Sequence, residues 1–265
     1  MINILMSGCN GKMGQVITRL AEQYEGLRIA AGYDLSDNVK NSYPVFNDLG
    51  KCNVKVDVII DFSNPAALEN VLSFAASGKI PAVIATTGLS AAQKKQLEEA
   101  SGVIPVFSAA NMSLGVNLLI DLVKKAARLL EPNFDIEIIE KHHNQKLDAP
   151  SGTALAIADS INSALDQKYE YVYDRHSRRK KRSRNEIGIH AVRGGTIVGE
   201  HSVIFAGNDE IIEINHSAMS KDIFGTGALR AAKFICGKRP GMYNMNDLIS
   251  GDAANPSGNR RAVNK

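Results

Sequence analysis

The 265-residue sequence has no tryptophan, few aromatic residues of any kind and only three cysteines. The thiols, Cys9, Cys52 and Cys236, are isolated, too few for a multi-bridge scaffold and without the spacing of a zinc ligand set. They predict free thiols in a reducing compartment and no metal. No apolar run approaches the ~18–20 residues of a membrane span. The opening Met1-Ile-Asn-Ile-Leu-Met-Ser-Gly lacks the basic start and the length of a signal peptide, so the expected location is cytoplasmic, with no membrane partner. Charge of one sign is nearly absent in the balance: 31 Lys and Arg stand against 28 Asp and Glu, a net +3 too small to mark a nucleic-acid protein. What is plentiful is ordinary core material. At 44% hydrophobic residues, the chain can bury one large core or two smaller ones, which excludes a disordered or collagenous polymer.

The first half alternates two periodicities. Short apolar runs at Ile2–Met6, Leu27–Gly32, Val56–Phe62, Pro81–Ala85 and Ile104–Phe107 read as strands. Between them, Met13–Tyr24, Pro65–Ser77 and Ser90–Ala100 read as helices, the last capped by Ser90. Repeated β-α-β with near-continuous apolar strands predicts an α/β fold, a doubly wound, Rossmann-type parallel sheet covered on both faces. After Ser113 the pattern changes. A long helix over Leu114–Leu130 precedes an alternating strand over Phe134–His143, a helix over Ser151–Leu165 and three successive strands at Ile187–Val192, Ile197–Phe205 and Glu210–Ser217. This predicts a C-terminal α+β domain with an open mixed sheet. An Ala-rich helix over Asp222–Cys236 follows, and the polar stretch 251–265 reads as a disordered tail.

Gly8-Cys9-Asn10-Gly11-Lys12-Met13-Gly14 lies between the first strand and the first helix. Glycines there let the backbone approach a pyrophosphate, and the helix-start amides supply donors. The spacing is GxxGxxG rather than GxGxxG, but Asp34 stands twenty residues past Gly14, at the end of the second strand, where a carboxylate accepts from ribose hydroxyls. Leu35 occupies the position where an Arg often meets a 2′-phosphate, which favours NADH. Lys12 points the other way, so some NADPH tolerance is expected. Two further loops, Ala85-Thr86-Thr87-Gly88 and Ala109-Ala110-Asn111-Met112, follow parallel strands and offer small and amide-binding residues to a nicotinamide.

The most distinctive segment runs from Glu140 through His142, His143, Lys146 and Asp148 to Pro150-Ser151-Gly152-Thr153. Consecutive histidines on extended backbone point to opposite sides, so they have different tasks. The free amides of a helix start, the Ser151 and Thr153 hydroxyls and a neighbouring Lys146 suit a small carboxylate, with His or Lys able to deliver a proton.

These motifs resemble the 4-hydroxy-tetrahydrodipicolinate reductase (dihydrodipicolinate reductase) family over about residues 1–249. The segment Glu140-x-His142-His143-x-x-Lys146-x-Asp148-Ala-Pro-Ser-Gly-Thr-Ala is the most specific part. Gly8–Gly14, Ala85–Gly88, Ala109–Asn111, Val192-Arg193-Gly194-Gly195 and Gly199-Glu200-His201 follow in order. The resemblance implies NADH- or NADPH-dependent reduction of a cyclic dicarboxylate with loss of water. It implies His142 as proton donor or acceptor, Lys146 as second proton donor and carboxylate contact, and His143, Gly152 and Thr153 as substrate holders. Gly8 to Met13, Asp34, Ala85 to Thr87 and Ala109 to Met112 would bind the cofactor. It also implies a homotetramer assembled through second-domain sheets, and a return of residues 222–250 to a dinucleotide domain of residues 1–113, leaving 114–221 for substrate and assembly. Cys9 and Asn10 stand where the family commonly has Ala and Gly.

Two other classes share part of the pattern. Another two-domain NAD(P)-dependent dehydrogenase, acting on an amino or hydroxy acid, would share the first half but has no reason to carry the His-His-x-x-Lys segment. An NAD-sensing protein has no use for its acid groups. The basic run from Arg175 to Arg184 has no interleaved aromatics and reads as a solvated loop, close to the entrance for an acidic substrate, rather than a nucleic-acid site.

Overall fold

Strict alternation along the first strand sends Ile4 and Met6 into one buried cluster and Leu5 into another, so its sheet is covered on both faces. The computed structural model describes residues 1–36 and 38–250; the tail expected at 251–265 lies outside them. In chain order the elements begin with β1 (Ile2–Ser7), α1 (Lys12–Ala21), β2 (Leu27–Tyr33), β3 (Val45–Phe46) and β4 (Val58–Asp61). They continue with α2 (Leu68–Gly78), β5 (Ala82–Ile84), α3 (Ala91–Ser101) and β6 (Pro105–Ser108). Then come α4 (Leu114–Leu130), β7 (Asp135–His142), α5 (Gly152–Asn162), β8 (Glu170–Val172), β9 (Glu186–Arg193), β10 (Gly199–Ala206) and β11 (Ile211–Ala218). The described chain closes with α6 (Asp222–Ile235), β12 (Gly241–Tyr243) and α7 (Met245–Ser250).

The chain divides into two compact units, one of Met1–Leu114 with the described residues from Asp222 onward, the other Gly115–Lys221. In the first, seven parallel strands lie in the order β12-β6-β5-β4-β1-β2-β3. The order reverses at β1 and β4, and the crevice beyond their carboxyl ends is where open α/β sheets take ligands. Ser90 and Gln93 form a capping box at the start of α3, a motif whose serine contributes about 1 kcal/mol. Helix α6 packs tightly because it carries glycine where contact is closest: a Cβ on Gly227 would fall 1.7 Å from the Met112 carbonyl oxygen.

The second unit has a five-stranded mixed sheet, β11-β10-β7-β9-β8. Strands β7, β9 and β8 run parallel, and β10 is antiparallel to β7 and β11. One face packs Ile136, Ile138, Ile187, Ile189, Val203 and Phe205 against α4 and α5. The burial alternation of β7 carries past the isoleucines, so Glu140 and His142 point to that same covered side.

Some expected boundaries move. Helix α1 stops at Ala21 rather than Tyr24, and the stretch expected as one helix from Pro65 begins as a 3₁₀ turn over Pro65–Ala67. The basic run is an exposed loop, as expected, but two of its arginines are tied to acids of the sheet. Arg175 bonds Glu137 and Glu186 at 2.6 and 3.0 Å, and Arg182, mostly buried, reaches Asp135, Glu137 and three backbone carbonyls. The acids that recruit these arginines lie on β7 and β9, where their alternation faces them away from the helices.

Candidate active site

In the first unit the Gly-rich turn is built for close approach. Gly8 holds a φ of +78°, and a Cβ there would lie 2.7 Å from the Phe62 carbonyl oxygen. A Cβ on Gly14 would lie 2.2 Å from the Gly8 carbonyl oxygen, so only glycine lets α1 start this close to the turn. The Asp34 carboxylate accepts the Asn10 amide at 3.0 Å and the Ser36 amide at 3.1 Å, which fixes it at the mouth of the turn. Asn10 also donates to the Ser36 carbonyl and accepts from Asn41 at 2.7 Å. Gly8, Asn10, Gly11, Asp34 and Leu35 line one cavity of about 470 Å³, with Phe62 and Ser63 opposite.

Thr86, Thr87, Ala109 and Ala110 line a different cavity of about 450 Å³. A buried carboxylate ties the two loop systems together. Asp61, at the end of β4, accepts from the hydroxyls of Ser7 at 2.6 Å, Ser63 at 2.5 Å and Thr86 at 2.5 Å. Nothing in the spacing of these residues announces Asp61; only the parallel pairing of β1, β4 and β5 brings its donors together.

Three expected cofactor residues turn inward. Cys9 is fully buried, and burial, with Asp34 nearby, pushes its thiol up to about 12, so it is an inert small side chain. Met112 is buried in the core with its carbonyl against α6, as is Ala85 at the end of its strand. These three can serve a cofactor only through backbone or shape. Lys12 is exposed, Met13 half-buried, and Asn111 accepts the Ser113 amide at 2.9 Å.

In the second unit the distinctive segment gathers into one hydrogen-bonded cluster. His142 Nδ1 lies 2.7 Å from Glu140, whose other oxygen accepts the Ser151 amide at 2.9 Å. Arg193, opposite His142 in the β7/β9 register, donates to both Glu140 oxygens at 2.7 and 2.8 Å. Burial pushes the Glu140 carboxyl up, but Arg193, His142 and the Ser151 amide outweigh it and hold the group below the ordinary range. Lys146 bonds Asp148 at 2.7 Å, and its amide donates to the His143 carbonyl at 3.1 Å. Gly152 is exposed at the first turn of α5, with Thr153 half-buried beside it.

The Ser151 hydroxyl differs from expectation. It is 2% exposed, caps α5 through the Ala154 amide at 3.2 Å and meets His201 Nε2 at 3.2 Å. It shapes the helix start instead of facing a ligand. Glu140, Arg193 and His201 were quoted in the sequence motifs without a role. Their partners lie up to 53 residues away, so local spacing carries no signal of them.

Burial, with His142 close by, lowers His201 to about 4. The sign follows from linkage. The unfolded imidazole takes up its proton near ~6.5 while the folded one resists, so stability falls as pH drops from there to about 4, by about 3 kcal/mol in total. Urea midpoints of the wild type and His201→Gln should converge in slope above pH ~6.5 and differ below it. Parallel pH dependences in the two proteins would refute this.

The comparisons identify the family. Residues 2–112 match the family model for the N-terminus of dihydrodipicolinate reductase, and residues 115–249 match that for its C-terminus. The chain is 57% identical over 249 residues to 4-hydroxy-tetrahydrodipicolinate reductase of Caldanaerobacter subterraneus subsp. tengcongensis, covering 94% of this chain and 98% of that protein. It is 48% identical over 250 residues to the enzyme of the same name from Clostridium tetani, with the same coverage. Among solved structures, dipicolinate-bound dihydrodipicolinate reductase from Paenisporosarcina sp. TG-14 superposes with a TM-score of 0.79 at 26% identity, covering 93% of this chain and 99% of that one. The chain belongs to the 4-hydroxy-tetrahydrodipicolinate reductase family, NAD(P)H-dependent oxidoreductases of lysine and diaminopimelate biosynthesis that reduce 4-hydroxy-tetrahydrodipicolinate to tetrahydrodipicolinate with loss of water.

Proposed function

We propose that the end of β7 and the start of α5 bind the substrate dicarboxylate and protonate it, with His142 as the principal acid. The observation that carries this reading is the single cluster joining His142, Lys146 with Asp148, and the α5 N-terminus. Lys146 and the Gly152 and Thr153 positions receive one carboxylate, where cationic and helix-start donors add. His143 takes the other side of the ring. Ser151 acts by capping the helix it begins. The C4 hydroxyl leaves as water together with a proton from C5, which sets a C4=C5 bond in conjugation with the ring imine; that system then gains one hydride at C4 and one proton at nitrogen, giving the enamine tautomer of the product. His142 supplies the proton and Lys146 is the second donor. Mutual orientation of the reactants contributes much of the rate.

Gly8, Asn10, Gly11, Lys12, Met13 and Asp34, with Thr86, Thr87, Ala109, Ala110 and Asn111, hold the dinucleotide. Cys9, Ala85 and Met112 contribute backbone and shape. The glycine positions that no Cβ could occupy and the Asp34 carboxylate at the cavity fit such a group. When bound, the dihydronicotinamide supplies the hydride. Asp34 accepts from ribose hydroxyls, and Leu35 beside it offers no charge to a 2′-phosphate. NADH is therefore the preferred reductant, with NADPH tolerated through Lys12. The kcat/KM values for the two cofactors test this, and a large preference for NADPH would overturn it.

The second unit also assembles the protein as a homotetramer. Edge strand β11 exposes Ile211 and Ile212 at its start, apolar surface that a sheet-to-sheet contact would cover. Sedimentation mass decides this point. The substrate site itself is tested by Lys146→Ala. The KM for the dicarboxylate should rise at least about tenfold, as for loss of one charged contact, while the KM for NADH stays put. An unchanged KM for the dicarboxylate would remove Lys146 from the site.

A further inference from the structure

We infer that Glu140, clamped by Arg193, is a positioning residue for His142: it fixes the imidazole with a proton on Nδ1, so that Nε2 is the nitrogen that hands a proton to the substrate. This rests on the reading of His142 as the proton donor. Glu140 is 0% exposed, so it touches no ligand itself. Its role must run through what it bonds.

The carboxylate has about four acceptor sites, and four donors fill them. Oε2 faces His142 Nδ1 at 2.7 Å and Arg193 Nη1 at 2.7 Å; Oε1 takes Arg193 Nη2 at 2.8 Å and the Ser151 amide at 2.9 Å. A carboxylate so occupied cannot rotate. Held ionised by the guanidinium fork, it has no proton to offer, so His142 Nδ1 must be the donor of that bond. Arg193 is anchored in turn, donating to the Val192 carbonyl at 2.8 Å and the Asp148 carbonyl at 2.5 Å. The same carboxylate thereby fixes the acid, the start of α5 and the backbone of the residue that pairs with Lys146.

The other ring nitrogen is left with room. Residue 199 is glycine, and a Cβ there would lie 3.0 Å from His142 Nε2. The remaining neighbour is the His201 ring, edge-on at a centroid distance of 5.3 Å. The charged and titratable groups against the imidazole are Glu140, with Arg193 behind it, and His201 beside it.

A structural staple between β7, β9 and α5 would show the same bonds, so the test must separate the two roles. Glu140→Gln alone strands the Arg193 charge and can unfold the unit for that reason. The double variant Glu140→Gln/Arg193→Gln removes both charges together and keeps the shape at position 140. It should melt near the wild type and keep its KM for NADH within about twofold, yet lose at least about tenfold in kcat. Imidazole ¹⁵N spectra should show neutral His142 protonated at Nδ1 in the wild type and a mixture of tautomers in the double variant. A folded double variant with wild-type kcat overturns the inference, and so does a wild-type His142 whose neutral form carries its proton on Nε2. The second result stands even if both variants unfold. Parallel assays of His142→Gln keep the two readings apart. If that variant is slow and the double variant is not, only the role of Glu140 fails; if His142→Gln turns over at the wild-type rate, both fail.

Discussion

Replacing His142 by glutamine is expected to lower kcat by about 10²–10⁴ while the KM for NADH stays within about twofold. Glutamine keeps much of the shape and a hydrogen-bonding tip but cannot deliver a proton. The substrate would then draw its proton from Lys146 or from water, each a poorer source in the orientation the cluster imposes. The loss should appear in kcat because the proton is needed only as the reacting system accepts hydride, not to bind the ground state. A variant with near wild-type turnover would take His142 out of the chemistry.

The second large effect is on stability. Glu140→Ala removes the one acceptor shared by Arg193, His142 and the Ser151 amide, leaving a largely buried guanidinium and an orphaned helix-start amide. Breaking a buried pair in this way typically costs about 3–5 kcal/mol. Urea unfolding should show an unfolding free energy lowered by that amount in the second unit. The pH dependence has a definite sign. Glu140 and Glu137 are both held below the ordinary range. Their contribution is complete above the unfolded value of ~4.3 and is lost as pH falls through their lower folded values. Glu140→Ala should therefore lose part of the acid sensitivity of the wild type along with its stability. An unfolding free energy within about 1 kcal/mol of the wild type would show that the cluster relaxes without it.

Much of the fold was legible because its signals are local. The period of two in β7 and the Gly-rich turn after β1 each occupy one short window, and so does Ser90 before α3. The α/β class with its parallel sheet and second mixed sheet follows from those windows. What escaped is non-local or too short to have a period. Strands β3, β8 and β12 have two or three residues each and exist because a neighbouring edge offers unpaired amides. The Arg175–Arg184 run is the exposed loop its composition predicts, but the pairing of Arg175 and Arg182 was not legible because their acids, Asp135, Glu137 and Glu186, lie on strands β7 and β9. Glu140 was visible as part of a motif, but its function as a hub depends on Arg193, which only the β7/β9 register places opposite. Cys9 and Met112 show the reverse failure. Their positions in the loops suggested contact with a ligand, while their apolar side chains took the nearer core.

A crystal structure of the NADH-loaded protein with pyridine-2,6-dicarboxylate, a planar stand-in for the substrate ring, tests the central claim most directly. One carboxylate should sit on Lys146 and the Gly152–Thr153 amides, with His142 Nε2 facing the ring. Density for the ligand against the basic run at 175–184, or anywhere that leaves Lys146 bound only to Asp148, would contradict it.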